Sequence, residues 1–238
     1  MSLAARLLNV FAIPGQVFAE LKTSPFAASN WLVPAICSAM VGVVSVFILL
    51  SQPAIQKEFR DKQTKLIQDQ VKAGKMTTQE QSLAEKITGP TVLKLVGAIG
   101  AVLGSFLGVL WWGFVLWWLS TRMLKVQVSF AKTLEVAGLS MMINVLGGLV
   151  ALLLMVKLGR TEATPSLALV IKDFDVTRKG HLFAAAANVF SFWIVGVRSI
   201  GLAKLADVPY LRAAWLVVTF WLLEQSVFVL SGLGQLAM

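Results

Sequence analysis

Leu95–Thr121, LVGAIGAVLGSFLGVLWWGFVLWWLST, contains no charged side chain. A hydrocarbon core about 30 Å thick is crossed by roughly 20 helical residues, so this stretch reads as a membrane span. Trp31–Ser51 and Val136–Val156 are uncharged over comparable lengths. Leu182–Ala203 and Leu211–Ala237 are as apolar in their bodies, interrupted there by Arg198 and Glu224 respectively. Five spans follow, with the chain ends on opposite sides of the bilayer.

The rest of the composition agrees. The chain has 238 residues, 57% of them hydrophobic and only 14% charged, which is the balance of a membrane protein. The expectation is an all-α, polytopic membrane domain covering 1–238, with spans at 31–51, 95–121, 136–156, 182–203 and 211–237. A net charge of +9 comes from 21 basic residues scattered among loops and helix ends. A nucleic-acid surface needs a concentrated basic patch with interleaved aromatics, and the sequence has none. Cys37, the only cysteine, lies inside span one and reads as small apolar filler.

Three segments remain outside lipid. Residues 1–30 read as interfacial, with Leu3, Leu7, Leu8 and Phe11 on one side, then a short helix opened by Pro14 with Phe18 and Leu21 as its apolar face. Residues 52–90 alternate helical spacing with a break at Gly74, and Thr77 with Glu80 has the spacing of a capping box. That predicts a helical hairpin between spans one and two. Residues 157–181 form a loop in which Asp173 and Asp175 stand one residue apart. Paired loop acids are normally solvated, and a hard cation wants about six oxygens, so no metal site is assigned.

Catalytic signatures are missing. There is no HExxH, GxSxG or GxxxxGK, and His181 is the sole histidine, so neither an enzymatic activity nor a cofactor is expected. A secondary transporter would bring more spans and paired broken helices.

Inside the spans, Gly100, Gly104 and Gly108 repeat every four residues and so share one helical face. Such a strip lets another helix backbone approach closely, and packing within the bundle is its first use. Glu224 falls roughly 20 Å along span five at 1.5 Å per residue. Asn144, Asn188, Ser191 and Ser105 fall near the same level, which predicts one intramembrane polar layer that fixes helix register by hydrogen bonding. Arg198, counted from a span ending at Ala203, is expected to snorkel to the headgroups apart from Glu224. Trp117 and Trp118, with Trp31 and Trp215, suit an interfacial belt.

Several segments resemble the Yip family (Ypt/Rab-interacting protein domain) of five-span membrane proteins, in particular its short bacterial members. Leu7-Leu8-Asn9-Val10-Phe11, then Pro14, Phe18 and Leu21 before Trp31, is similar to the family's amphipathic lead-in. Asn188-Val189-Phe190-Ser191-Phe192-Trp193, then Gly201-Leu202-Ala203-Lys204 with Val208, Arg212 and Ala213, is similar to its fourth-span signature. The resemblance implies a cytoplasmic N-terminus in a bacterial plasma (inner) membrane and no catalytic residues. It also implies a membrane partner, subunits of an ABC exporter, while the scattered basic residues point to membrane lipids and the glycine strip leaves open a second copy. The function expected is therefore an accessory or scaffold subunit, the alternative being a small transporter or channel component that uses Glu224.

Overall fold

The computed structural model describes residues 1–57, 64, 71, 74, 89–172 and 174–231. The hairpin expected over 52–90 lies almost wholly outside the described residues, as does Asp173. The named helices are α1 (Leu3–Ala12), α2 (Pro14–Thr23), α3 (Ser29–Leu49), α4 (Pro90–Trp118), α5 (Phe130–Leu158), α6 (Lys179–Ala186), α7 (Val189–Ala206) and α8 (Tyr210–Leu230). Leu119–Met123 extends α4 as a π-helical turn. Five helices, α3, α4 with its extension, α5, α7 and α8, are long and apolar enough to cross a bilayer. The protein is an all-helical, integral membrane protein. Its one β-type contact among the described residues is an isolated bridge between Ser166 and Asn188.

Local chemistry sets the helix limits. Ser129 accepts from the Lys132 amide at the start of α5, and Asn188 accepts from the Phe190 amide at the start of α7, each satisfying a first-turn N–H that has no helical partner. Pro14 and Pro90 occupy first-turn positions, where a missing N–H costs nothing. Gly159 at φ 65° closes α5 and Asp207 at φ 52° closes α7. Both are residue types that tolerate the left-handed region.

The Asn188 cap moves one boundary. Leu182 was expected to open span four, but Leu182–Ala186 belongs to α6, and the transmembrane helix starts at Val189. The new frame puts Arg198 at the tenth of 18 residues, near the middle of the span.

α5 is the hub. It packs on α3, α4 and α7, while α8 packs on α7. Residues Thr133 to Met141 are buried without interruption, so the first half of α5 is enclosed on all sides and only its second half reaches lipid. Small residues set the closest crossings. A Cβ at Gly138 would stand 2.3 Å from Trp31 Cα and 2.9 Å from the Asn30 carbonyl oxygen. Pro34, four residues on, has no N–H to offer that carbonyl. At Gly201 a Cβ would meet Val136 Cγ1 at 2.3 Å and the Phe18 ring at 3.4 Å, which makes this glycine the junction of α2, α5 and α7.

α1 and α2 fold back on each other, with Arg6 donating to Glu20 Oε1 at 2.9 Å, and Val10, Val17, Phe18 and Leu21 are fully buried against the bundle. Three contacts then climb α7: Lys22 pairs with Asp207, Phe18 packs at Gly201, and Phe11 meets the Trp193 ring edge-on at 5.9 Å. From Asp207 to Trp193 is about 20 Å of helix axis. α1 and α2 thus form a hairpin alongside α7, with Phe18 and Leu21, the expected apolar face of α2, buried against protein.

Candidate functional site

The most enclosed charge on the described surface and core is Glu135, whose side chain has 0% exposure. Its Oε1 accepts from Asn30 Nδ2 at 2.6 Å and from the Ala27 amide at 3.0 Å. Oε2 lies 2.9 Å from Lys132 Nζ as an ion pair without a hydrogen bond of its own. Lys132 Nζ also donates to the carbonyls of Leu21 and Ser24, at 2.8 and 2.7 Å. One turn of α5 thus grips the end of α2 through carbonyls and the start of α3 through donors. The sequence reading started span three at Val136 and missed this clasp. The usable signal was the i,i+3 spacing of Lys132 and Glu135 directly after a Ser129 cap, which puts both on one helical face.

A second constellation lies deeper. Arg198 is 5% exposed, with its guanidinium carbon 4.1 Å from the centroid of the Trp112 ring and Nε donating weakly to Ser140 Oγ at 3.4 Å. It does not snorkel. Mid-helix placement leaves the headgroups out of reach, and the Trp112 face stabilises the cation in their stead. On the neighbouring residue, Trp111 Nε1 donates to Glu224 Oε1 at 2.6 Å, and Phe220 contacts both indoles at about 6 Å. Among the described residues Arg198 and Glu224 form no direct ion pair; Arg198 lies on the Trp112 face and Glu224 bonds Trp111. Their expected separation was counted from a span ending at Ala203, whereas α7 runs on to Ala206 and Arg198 lies mid-helix.

The polar residues expected in one layer divide among three places. Glu224 bonds Trp111. Asn188 caps the start of α7, with Ser191 in the first turn after it. Ser105 and Asn144 share a groove. That groove, about 300 Å³, runs between α3, α4 and α5 and is lined by Ser38, Gly42, Ser45, Gly100, Gly104, Ser105, Asn144 and Gly148 among others. Ser105 donates to the Ala101 carbonyl at 2.8 Å and shares a hydrogen bond with Ser38 Oγ at 3.1 Å. Asn144 is exposed and has no hydrogen-bond partner among the described residues.

Gly100 and Gly104 of the glycine strip line the same groove. No atom beyond the local helix lies within 4 Å of where a Cβ would sit on Gly100 or Gly104, and Gly108 meets only Met141 Cε at 3.7 Å. Close α3–α4 contact is made instead by Gly42 against Ala101 and Gly97 against Val46, each at 2.9 Å. Packing inside the bundle, the first use expected of the strip, is therefore carried by other glycines.

The family-like residues meet along one seam. Pro14 opens α2, Phe18 packs at Gly201, Phe190 stacks on Trp193 at 6.1 Å and packs on Gly147, and Lys204 Cε lies 3.8 Å from the Cβ position of Gly15. At the opposite end of the bundle, Asp175 Oδ1 accepts from the Thr177 hydroxyl and amide at 2.7 and 2.9 Å. Those bonds, with Arg178 close by, hold its carboxyl below the usual range. Among the described residues no group of three His, Cys, Asp or Glu side chains is placed to hold a metal ion.

A family model described as the Yip1 domain matches residues 8–232. No curated protein and no solved structure matches the chain.

Proposed function

The chain belongs to the Yip1-domain family, and from that premise we propose that it is a non-catalytic scaffold or accessory subunit that docks a partner's transmembrane helix. The observation that carries this reading is the open groove between α3, α4 and α5. In lipid every polar group must find a partner within protein, and acyl chains offer none. The groove presents the unpartnered Asn144 amide next to Gly100 and Gly104, whose bare backbone admits a second helix at close range. Interhelical hydrogen bonds and small-residue contacts are how helices associate where no hydrophobic force distinguishes protein from lipid.

An ABC exporter is the partner we infer, in a bacterial inner membrane with the N-terminus in the cytoplasm. Affinity purification of the full chain from native membranes tests this. Co-purification of exporter subunits, lost when Gly104→Leu fills the groove, supports the reading. Recovery of the chain alone contradicts it. With Cys37 replaced, a cysteine at Lys125 should be labelled from the cytoplasmic side only and one at Arg160 from the opposite side only.

The same charge count that makes Glu224 conspicuous supports a second reading, a transport component. Its carboxylate is half-buried on the bundle flank and bonded to a single indole, so a flux assay on a Glu224→Gln variant separates the two.

A further inference from the structure

A pocket of about 540 Å³ lies where α7 ends and α8 begins, lined by Ile200, Ala203, Lys204, Asp207, Val208 and Tyr210. We propose that it binds the phosphate headgroup of an anionic phospholipid.

Its charge is the first argument. Lys204 and Tyr210 are both exposed, and neither the ammonium nor the phenol has a hydrogen-bond or ion-pair partner among the described residues. Asp207, the one acid on the wall, is already paired with Lys22 from α2. The net charge left facing the pocket is that of Lys204, and Arg212 adds a second exposed cation in the first turn of α8. Two donors with an uncompensated cation are what a phosphodiester accepts.

Position and lining separate a lipid from a soluble anion. Ile200, Ala203 and Val208 make the remaining wall apolar, a surface that free phosphate would not use and that glycerol and upper acyl carbons would cover. The pocket sits at the shared end of two membrane-spanning helices, the level at which lipid phosphates stand. Tyr210 and Trp215 are exposed there on α8, as aromatics at a membrane interface are.

This site rests on the membrane reading of α7 and α8 and is independent of the partner-helix groove. Native mass spectrometry of the purified full chain in detergent, offered phosphatidylglycerol or phosphatidylcholine, reads it out. The wild type should retain phosphatidylglycerol in preference. Lys204→Gln should lose about five-fold of that preference, the weight of one Lys near an anionic surface. Tyr210→Phe should lose less, and Lys157→Gln at the far end of α5 none. Because Lys204 has no internal partner, Lys204→Gln should melt with the wild type in lipid-free detergent. Equal retention of the two lipids, an unchanged preference in Lys204→Gln, or displacement of the lipid by inorganic phosphate alone would overturn the assignment.

Discussion

Lys132 Nζ stands 2.9 Å from Glu135 Oε2, and the same ammonium holds the Leu21 and Ser24 carbonyls, so one lysine ties the N-terminal hairpin to the hub helix. Lys132 supplies the countercharge for a fully buried carboxylate.

Removing one partner strands the other. Lys132→Ala leaves a fully buried carboxylate with its Asn30 and Ala27 donors but without that countercharge, and breaking a buried pair in this way costs about 3–5 kcal/mol. Lys22→Ala removes a pair whose side chains are 35% and 79% exposed and should cost at most about 1 kcal/mol. Thermal unfolding in detergent should rank the two variants in that order.

Glycine substitutions distinguish crossings from the groove. Gly138→Ala drives a methyl to 2.3 Å from Trp31 Cα, where the obstruction is backbone, and overpacking of this kind costs about 1–3 kcal/mol or more. Gly100→Ala meets nothing and should leave the melting temperature unchanged or slightly raised. Similar losses at both positions would contradict the geometry.

The N-terminal hairpin should loosen in acid. The Met1 amine and then Arg6 lower the Glu20 carboxyl below its ordinary value of 4.5. A carboxylate with a depressed folded pKa contributes stability that is complete above the unfolded pKa and lost as pH falls through the folded one. Protection of the α1 and α2 amides from hydrogen exchange should therefore weaken as pH drops below 4.5, and Glu20→Gln should remove most of that dependence while lowering protection at neutral pH.

Glu224→Gln keeps an acceptor for Trp111 and removes the charge. As a register clasp it is worth about 0.6 kcal/mol and at most about 2, so a small shift in unfolding temperature is expected with no change in solute or proton flux from reconstituted vesicles. Loss of flux with folding intact would favour the transport reading.

The five spans were legible because runs such as Leu95–Thr121 have one solvent they can accept. What hid was what depends on a single turn of helix. Asn188 reads equally well as a buried polar residue or as a cap, and only the cap choice places Arg198 mid-span beside Trp112. Glu135 sits one residue before an uncharged run, where a hydropathy reading stops counting. Spacing shows that Gly100, Gly104 and Gly108 share a face, but not which direction that face points, since this depends on how α4 is rotated by Gly42 and Gly97 against their neighbours. Pro14, Phe18, Gly201 and Lys204 could be picked out by resemblance, while their meeting along α7 required the fold.

A photo-crosslinking residue at position 104, in native membranes, tests the docking claim most directly, with the same probe at Leu222 on the exposed flank of α8 as the control. The groove reading predicts a discrete product with another membrane protein from position 104 and none from 222. Lipid adducts alone from both positions would contradict it.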